Sequence, residues 1–324
     1  MNELMLVTPP LRAIVLGAPG PMTALALHAW IDGGHGVAGF LCCEPSSWWR
    51  QDQILARLRP RLSTTAALAR IRCAPREAAR GARDAAILEM MRREEPDLLL
   101  SLGYRRRVSP DVLAQLPGRA LNIHPALLPA YAGPTPSLAM LLDDAFAVAG
   151  GATLHLMDEG LDSGPVVARR ALPLPPPADA LAYRVAAGLA AATLIRDAVP
   201  AYLAGRLTPE PQREPGPLVR YGEAELTVGP DWSRDRISRL AETTPWSHSL
   251  LLRGDGRAIP VTGRPRFFPI GAPPAPAGFA QARCADGIVR FRIRRGRHKK
   301  FWSLRQTLRL LTISLAMPGE AAEP

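Results

Sequence analysis

Asn122, His124 and Asp162 are the side chains in this sequence whose types and spacing could do chemistry together. The first two stand two apart in Leu121-Asn122-Ile123-His124-Pro125-Ala126-Leu127-Leu128-Pro129, so on a strand they point to the same face. The third lies in Met157-Asp158-Glu159-Gly160-Leu161-Asp162-Ser163-Gly164-Pro165, bracketed by Gly160 and Gly164, a turn composition that lets a carboxylate lean over a neighbouring strand end. An amide and a protonated imidazole can stabilise an oxyanion, and a carboxylate can support the imidazole and handle protons. That equipment serves acyl transfer, and none of it needs a metal. Asp158 and Glu159 read as turn residues. Taken alone, an Asn-x-His pair more often caps a strand end through backbone hydrogen bonds; the Asp-containing turn counts against that reading.

The elements that must hold these residues follow the pattern of an α/β sheet. The apolar run into His124 has to stop there, because Pro125, Pro129 and the Gly/Pro-rich stretch from Tyr131 to Pro136 cannot continue a ladder. Upstream, Arg12–Leu16 reads as a strand, Gly17-Ala18-Pro19-Gly20-Pro21 as a tight turn and Met22–Ile31 as a helix, the opening of a doubly wound unit. The glycines of that turn have the wrong spacing for a dinucleotide fingerprint. Val37–Cys43 is predicted as a strand, Arg76–Arg93 as a helix, Asp97–Leu102 as a strand, Pro110–Leu116 as a helix and Ala120–Ile123 as a strand. Ala152–Met157 and Val166–Leu172 are predicted as strands, and Asp179–Leu203 as one unbroken Ala/Leu-rich helix. The expected fold is therefore α/β, a doubly wound, mostly parallel sheet with its ligands at the carboxyl edge, where both motifs would lie.

The organisation predicted along the chain is a catalytic domain over 1–205, a Pro-rich linker over 206–217, a small β-barrel-like domain over 218–297 and a basic amphipathic tail over 298–324. The barrel reading rests on the short, turn-bounded runs Ser249–Leu252, Ala258–Val261, Gly278–Cys284 and Ile288–Ile293. The net charge of +11 comes largely from Arg290 to Arg309, which hold nine Lys/Arg and no acid. Compositional bias toward Arg accounts for it as well as phosphate binding does. The tail has three readings: a helix packed on the body, a nucleic-acid arm, or a helix lying on an anionic membrane surface. Cys42, Cys43, Cys73 and Cys284 show neither metal-ligand spacing nor a disulfide framework. With no apolar run near 18 residues and no signal-like N-terminus, the expected location is cytoplasmic.

On the two segments around Asn122, His124 and Asp162, in this order and spacing, the chain resembles the folate-dependent formyltransferase family. The likeness extends through Tyr131, Gly133 and Pro136, and through Asp231-Trp232-Ser233 and Thr244-Pro245-Trp246, which look like the C-terminal barrel of the two-domain members acting on methionyl-tRNA. The resemblance implies Asn122, His124 and Asp162 as the catalytic trio and 10-formyltetrahydrofolate as formyl donor. It implies donor contacts at Leu102, Gly103, Tyr104, Leu127, Leu128, Pro129, Asp158 and Gly160, and acceptor contacts at Trp48, Trp49, Tyr131 and Gly133. Two departures stand out: the segment Glu44–Arg50 lacks the basic insertion of the tRNA-acting members, and Ala132 stands where family members often carry Arg. They favour a small or specialised amine, such as an aminosugar nucleotide or modified amino acid, over methionyl-tRNA. Hydrolysis of the formyl donor and a non-catalytic nucleic-acid-binding relative are the further alternatives. His28, His35, His155, His248 and His298 are expected in structural or surface roles.

Overall fold

The computed structural model describes residues 9–42, 46–78, 81–172, 174, 180–214, 216, 218–219, 221–243, 250–254 and 257–294. Strands β1 (Arg12–Gly17), β2 (Gly36–Cys42), β3 (Pro75–Glu77), β4 (Leu98–Leu102), β5 (Ala120–His124), β6 (Gly151–Leu156) and β7 (Val166–Ala171) form one sheet, ordered β3-β2-β1-β4-β5-β6-β7. The strands from β3 to β5 across this order run parallel, while β6 and β7 are each antiparallel to their neighbour. Helices α1 (Pro21–Asp32), α2 (Ser46–Leu58), α3 (Thr64–Arg70), α4 (Arg83–Glu94) and α5 (Pro110–Leu113) connect the parallel strands.

Alternation along the strands feeds two cores, one on each face. Ala13 and Val15 of β1 and Leu98, Leu100 and Leu102 of β4 pack with Leu27 and Trp30 of α1 and Leu68 of α3. Ile14, Leu16 and Leu99 face the other way, onto Ile87 and Met90 of α4 and Val112 of α5. Both faces are covered, which is why β4 reads Leu-Leu-Leu-Ser-Leu instead of alternating. Each fully buried Leu or Ile stabilises the fold by about 1.5–3 kcal/mol relative to exposure.

Several elements differ from the sequence expectation. Residues Arg76 and Glu77 belong to β3, pairing with β2, and the helix starts only at Arg83. Pro75 has no N–H to donate and takes the edge of the sheet, where none is needed. The helix predicted over 179–203 is α8 (Ala180–Thr193) and α9 (Val199–Leu203), following α6 (Pro136–Asp143) and α7 (Phe146–Ala149), with a π turn over Leu194–Ala198. Pro200 cannot donate to the carbonyl four residues back, and Val199 N donates to Leu194 O instead, five back.

By contacts, the described residues of Met1–Pro136, Val148–Leu174 and Arg184–Val219 form one compact unit, and those of Ser137–Ala147, Pro175–Tyr183 and Arg220–Pro324 another. Residues 206–214, expected as a linker, are grouped with the first unit. Glu210 N donates to Val166 O and Val166 N to Glu210 O, both at 2.8 Å, which adds one antiparallel bridge beside β7. Pro209 and Pro211 leave Glu210 as the N–H available for that pairing.

The second unit holds α10 (Glu223–Leu226), α11 (Arg234–Thr243) and an antiparallel half-barrel of β8 (Leu251–Gly254), β9 (Arg257–Phe268), β10 (Phe279–Cys284) and β11 (Gly287–Ile293), ordered β10-β11-β9-β8. β9 runs well past the predicted Val261. Arg290 pairs with Arg266 and Arg292 with Thr262, so β9 carries extra residues around Gly263 and Pro265, a bulge that hid the strand from a period-two reading. Trp232 is buried, while residues 244–246 and the tail 298–324 lie outside the described residues. Among the described residues, no helix is long and apolar enough to cross a membrane.

Candidate active site

β5 ends in the site. Leu121 and Ile123 enter the core beneath the sheet, so Asn122 and His124 share the opposite face, as their spacing requires. Antiparallel pairing sets His155 of β6 directly across from Asn122. Asn122 Nδ2 donates to His155 Nε2 at 2.9 Å and to Asp162 Oδ1 at 3.2 Å. With Nδ1–H of His155 donating to Leu156 O at 2.7 Å, Nε2 is left as the acceptor for the Asn122 amide. His155 Nε2 also lies 3.6 Å from Asp162 Oδ1, but the shorter amide contact governs its hydrogen bonding. His155, expected in a bland structural or surface role, is thus a buried member of the cluster at 2% exposure. Its only sequence signal is strand parity, and that has meaning only once the β5/β6 register is known.

Asp162 occupies the left-handed region at φ 57°, a conformation that Asp tolerates better than most residues. Its Oδ2 accepts from Gly133 N at 2.8 Å and faces His124 Nδ1 at 3.4 Å. On the far side of that ring, Nε2–H of His124 donates to Tyr131 O at 2.9 Å. Both ring nitrogens therefore face acceptors, and satisfying both takes a proton on each. The Asp162 side chain is 8% exposed. Burial works against its charge, yet His124 beside it more than offsets this and holds the carboxyl well below the usual carboxylate range. The loop is fixed by small parts: Asp158 Oδ1 accepts from Gly160 N at 3.0 Å and from Ser163 Oγ at 2.9 Å. At Gly164 a Cβ would lie 2.0 Å from Leu156 O, so no side chain fits where the β6–β7 connection closes.

The other expected contact residues fall into three groups. Leu102, Tyr104 and Leu128 are buried. Leu102 O accepts from Ala18 N at 3.3 Å, Leu128 N donates to Thr153 Oγ1 at 3.0 Å, and Leu128 O accepts from Arg169 Nε at 2.7 Å. These main-chain groups of Leu102 and Leu128 are thus taken up within the protein. Gly103, at φ 73°, has open space where a Cβ would stand; Leu127 is half-buried, and Pro129, Asp158 and Gly160 are exposed. Tyr131 and Gly133, expected to touch the acceptor, contribute main-chain groups that hold His124 and Asp162. Trp49, expected at the acceptor, sits half-buried on α2, packs against the core, and stands edge-on to Phe40 with ring centroids 5.9 Å apart. The Trp48 side chain lies outside the described residues.

With this geometry in view, similarity to known proteins is informative. A family profile described as Formyl transferase matches residues 53–187. Over 244 residues the chain is 32% identical to a protein of Chloroflexus aurantiacus named methionyl-tRNA formyltransferase, covering 74% of this chain and 76% of that protein. It is 31% identical over 204 residues to the protein of that name from Roseiflexus sp., covering 63% of this chain and 60% of the other. A shorter, stronger stretch of 95 residues is 44% identical to phosphoribosylglycinamide formyltransferase of Mycobacterium tuberculosis, 29% of this chain and 43% of that one. Among solved structures, a HypX variant from Aquifex aeolicus superposes with a TM-score of 0.57 at 16% identity, covering 87% of this chain and 44% of that one, a likeness of fold. The chain belongs to the formyl transferase family.

Proposed function

We propose that this protein transfers a formyl group from 10-formyltetrahydrofolate to the amine of methionyl-tRNA. The observation that carries the reaction is the convergence of Asn122, His124 and Asp162 in one half-buried cluster at the end of β5. For the acceptor, the support is the 32% identity to a protein named methionyl-tRNA formyltransferase over 76% of its length, which outweighs the preference for a small amine drawn from the sequence. The second unit adds to this, since Arg234, Arg236 and Arg290 lie over the rings of Phe267, Trp232 and Phe268 at 5.3, 4.5 and 4.4 Å, a basic and aromatic composition suited to a polyanion.

The residues present fit a formyl donor: two hydrogen-bond donors and a carboxylate converge, and Gly103 leaves open space at the end of β4 beside them. When bound, 10-formyltetrahydrofolate supplies an activated formyl carbon. His124 and Asn122 stabilise the negative charge that builds on the carbonyl oxygen, worth about 2.7–4 kcal/mol per donor. Each of these donors already has a protein acceptor, so the carbonyl oxygen must take one over from Tyr131 O, His155 or Asp162. Asp162 receives the proton that the attacking amine loses, and the nitrogen released from the formyl carbon gains one. The depressed pKa keeps the carboxylate ionised but makes it a weak base, so it relays the proton toward the departing nitrogen and does not keep it.

One observation favours a small amine instead: Ala132 is 3% exposed and its carbonyl accepts from Val219 N at 2.7 Å, so this position offers no cation to an acceptor stem. The test is a panel of methionyl-tRNA, amino acids and aminosugar nucleotides, scored by mass for a formyl-sized gain and repeated across a salt series. Formylation of methionyl-tRNA with KM rising steeply with salt supports the proposal. Formylation confined to small amines transfers the reading to them.

A further inference from the structure

Gln212 lies in the segment that the sequence marks as linker, just past the bridge between Glu210 and Val166. Its Nε2 donates to Asp162 O at 2.9 Å and to Gly164 O at 2.8 Å, spanning the turn that presents the Asp162 carboxylate. One side-chain amide thereby satisfies two carbonyls of a loop whose middle residue is left-handed. The other end of the same amide is less comfortable: Gln212 Oε1 is buried with no hydrogen-bond partner among the described residues. An orphaned carbonyl costs about 1–3 kcal/mol, about what the two donated bonds return, so net stability gives little reason for a glutamine here. A hydrophobic side chain of the same length would remove that cost but leave the Asp162 and Gly164 carbonyls without their donor.

We infer that Gln212 is a positioning residue, fixing the main chain of the Asp162 turn so that the carboxylate stays registered on His124, Asn122 and Gly133 N. The carboxylate end of Asp162 is held by β5 and by Gly133, and the backbone end by Gln212, so the turn is clamped from both sides. The titratable groups facing Asp162 are His124 from β5 and His155 from β6, with Asp158 in its own loop. Loosening the clamp weakens the first two contacts together. The inference rests on Asp162 handling a proton in formyl transfer, but its geometric half can be read without activity.

The experiment compares full-length wild type with Gln212→Met, which keeps length and removes both donors, and Gln212→Glu, which turns an oxygen toward the two carbonyls. Asp162 is followed by carboxyl 13C NMR against pH, and formyl transfer by steady-state kinetics. The expected result is a folded variant in which the Asp162 carboxyl titrates nearer the ordinary carboxylate range, with kcat lower by about 10- to 100-fold and both KM values within about threefold. If Asp162 titrates as in wild type in either folded variant, the inference is overturned; so it is if KM rises while kcat holds. Should the wild type transfer no formyl group to any acceptor while Asp162 still shifts in the variants, the proposed reaction fails and the positioning role stands.

Discussion

Replacing Asp162 by Asn separates proton handling from architecture. The left-handed φ of 57° is nearly as acceptable to Asn as to Asp, so the turn itself survives. What changes is the hydrogen bonding: the carboxylate accepts from Gly133 N at 2.8 Å and from Asn122 Nδ2 at 3.2 Å, and an amide can accept only one of them while its NH2 meets the other donor. One unsatisfied contact in a buried cluster costs about 1–3 kcal/mol, which lowers stability without unfolding a domain of this size. The chemical loss is larger. Removing the proton acceptor takes away a factor of about 100 to 10,000, or roughly 3–5 kcal/mol of barrier. Binding of the folate should change by less than about threefold, because the bonds of the carboxylate go to protein groups and each factor of ten would need about 1.4 kcal/mol. The assay is kcat for formyl transfer beside an equilibrium titration of a folate donor analogue, with the thermal midpoint recorded for both proteins. A kcat within about threefold of wild type, or a dissociation constant weakened by the same factor as kcat, would refute the reasoning.

Three further outcomes test the rest of the site. His155→Ala removes the acceptor that Asn122 Nδ2 meets at 2.9 Å, and kcat should fall about 10- to 100-fold by loss of a buried partner; a fall in thermal midpoint with unchanged kcat would return His155 to a purely structural role. Gly164→Ala pushes a methyl to 2.0 Å from Leu156 O, a main-chain atom that cannot give way cheaply, so a loss of about 1–3 kcal/mol in denaturant unfolding is expected, and a shift under about 0.5 kcal/mol contradicts it. The stability of two carboxylates should depend on pH with opposite signs. Asp162 is depressed, so its contribution is present above the ordinary carboxylate range and the wild-type advantage over Asp162→Asn shrinks as pH falls below it. Asp52 is buried on α2, where burial pushes its carboxyl up against the hydrogen bonds from Thr65, Thr64 and Ser63 at the start of α3. Its contribution is present below the ordinary range, and the wild-type advantage over Asp52→Asn should shrink as pH rises through and above it. Parallel melting curves across acid pH show whether the two slopes differ in sign.

Local signals were enough for much of this protein. Apolar runs interrupted by Gly and Pro located most strands of the large sheet to within a residue or two, because a strand buried on both faces must be continuously hydrophobic. The two-residue spacing of Asn122 and His124 settled their shared face, since strand side chains alternate with period two. Glycines around Asp162 marked a turn, and the turn is where the carboxylate sits. Tertiary structure alone decided what long-range pairing decides. The register of β6 on β5 brought His155 against Asn122, and no local pattern distinguishes that histidine from His28 or His35. A single bridge to Val166 turned a Pro-rich segment into part of the scaffold and brought Gln212 to the Asp162 turn. Phe40 meets Trp49 edge-on and gives that ring a place against the core, a contact that an adjacent Trp pair on a polar background does not reveal. The physical reason is common to all three. Composition and period fix which face a residue turns, whereas the partner it meets there is set by segments distant in sequence, whose pairing no local preference encodes.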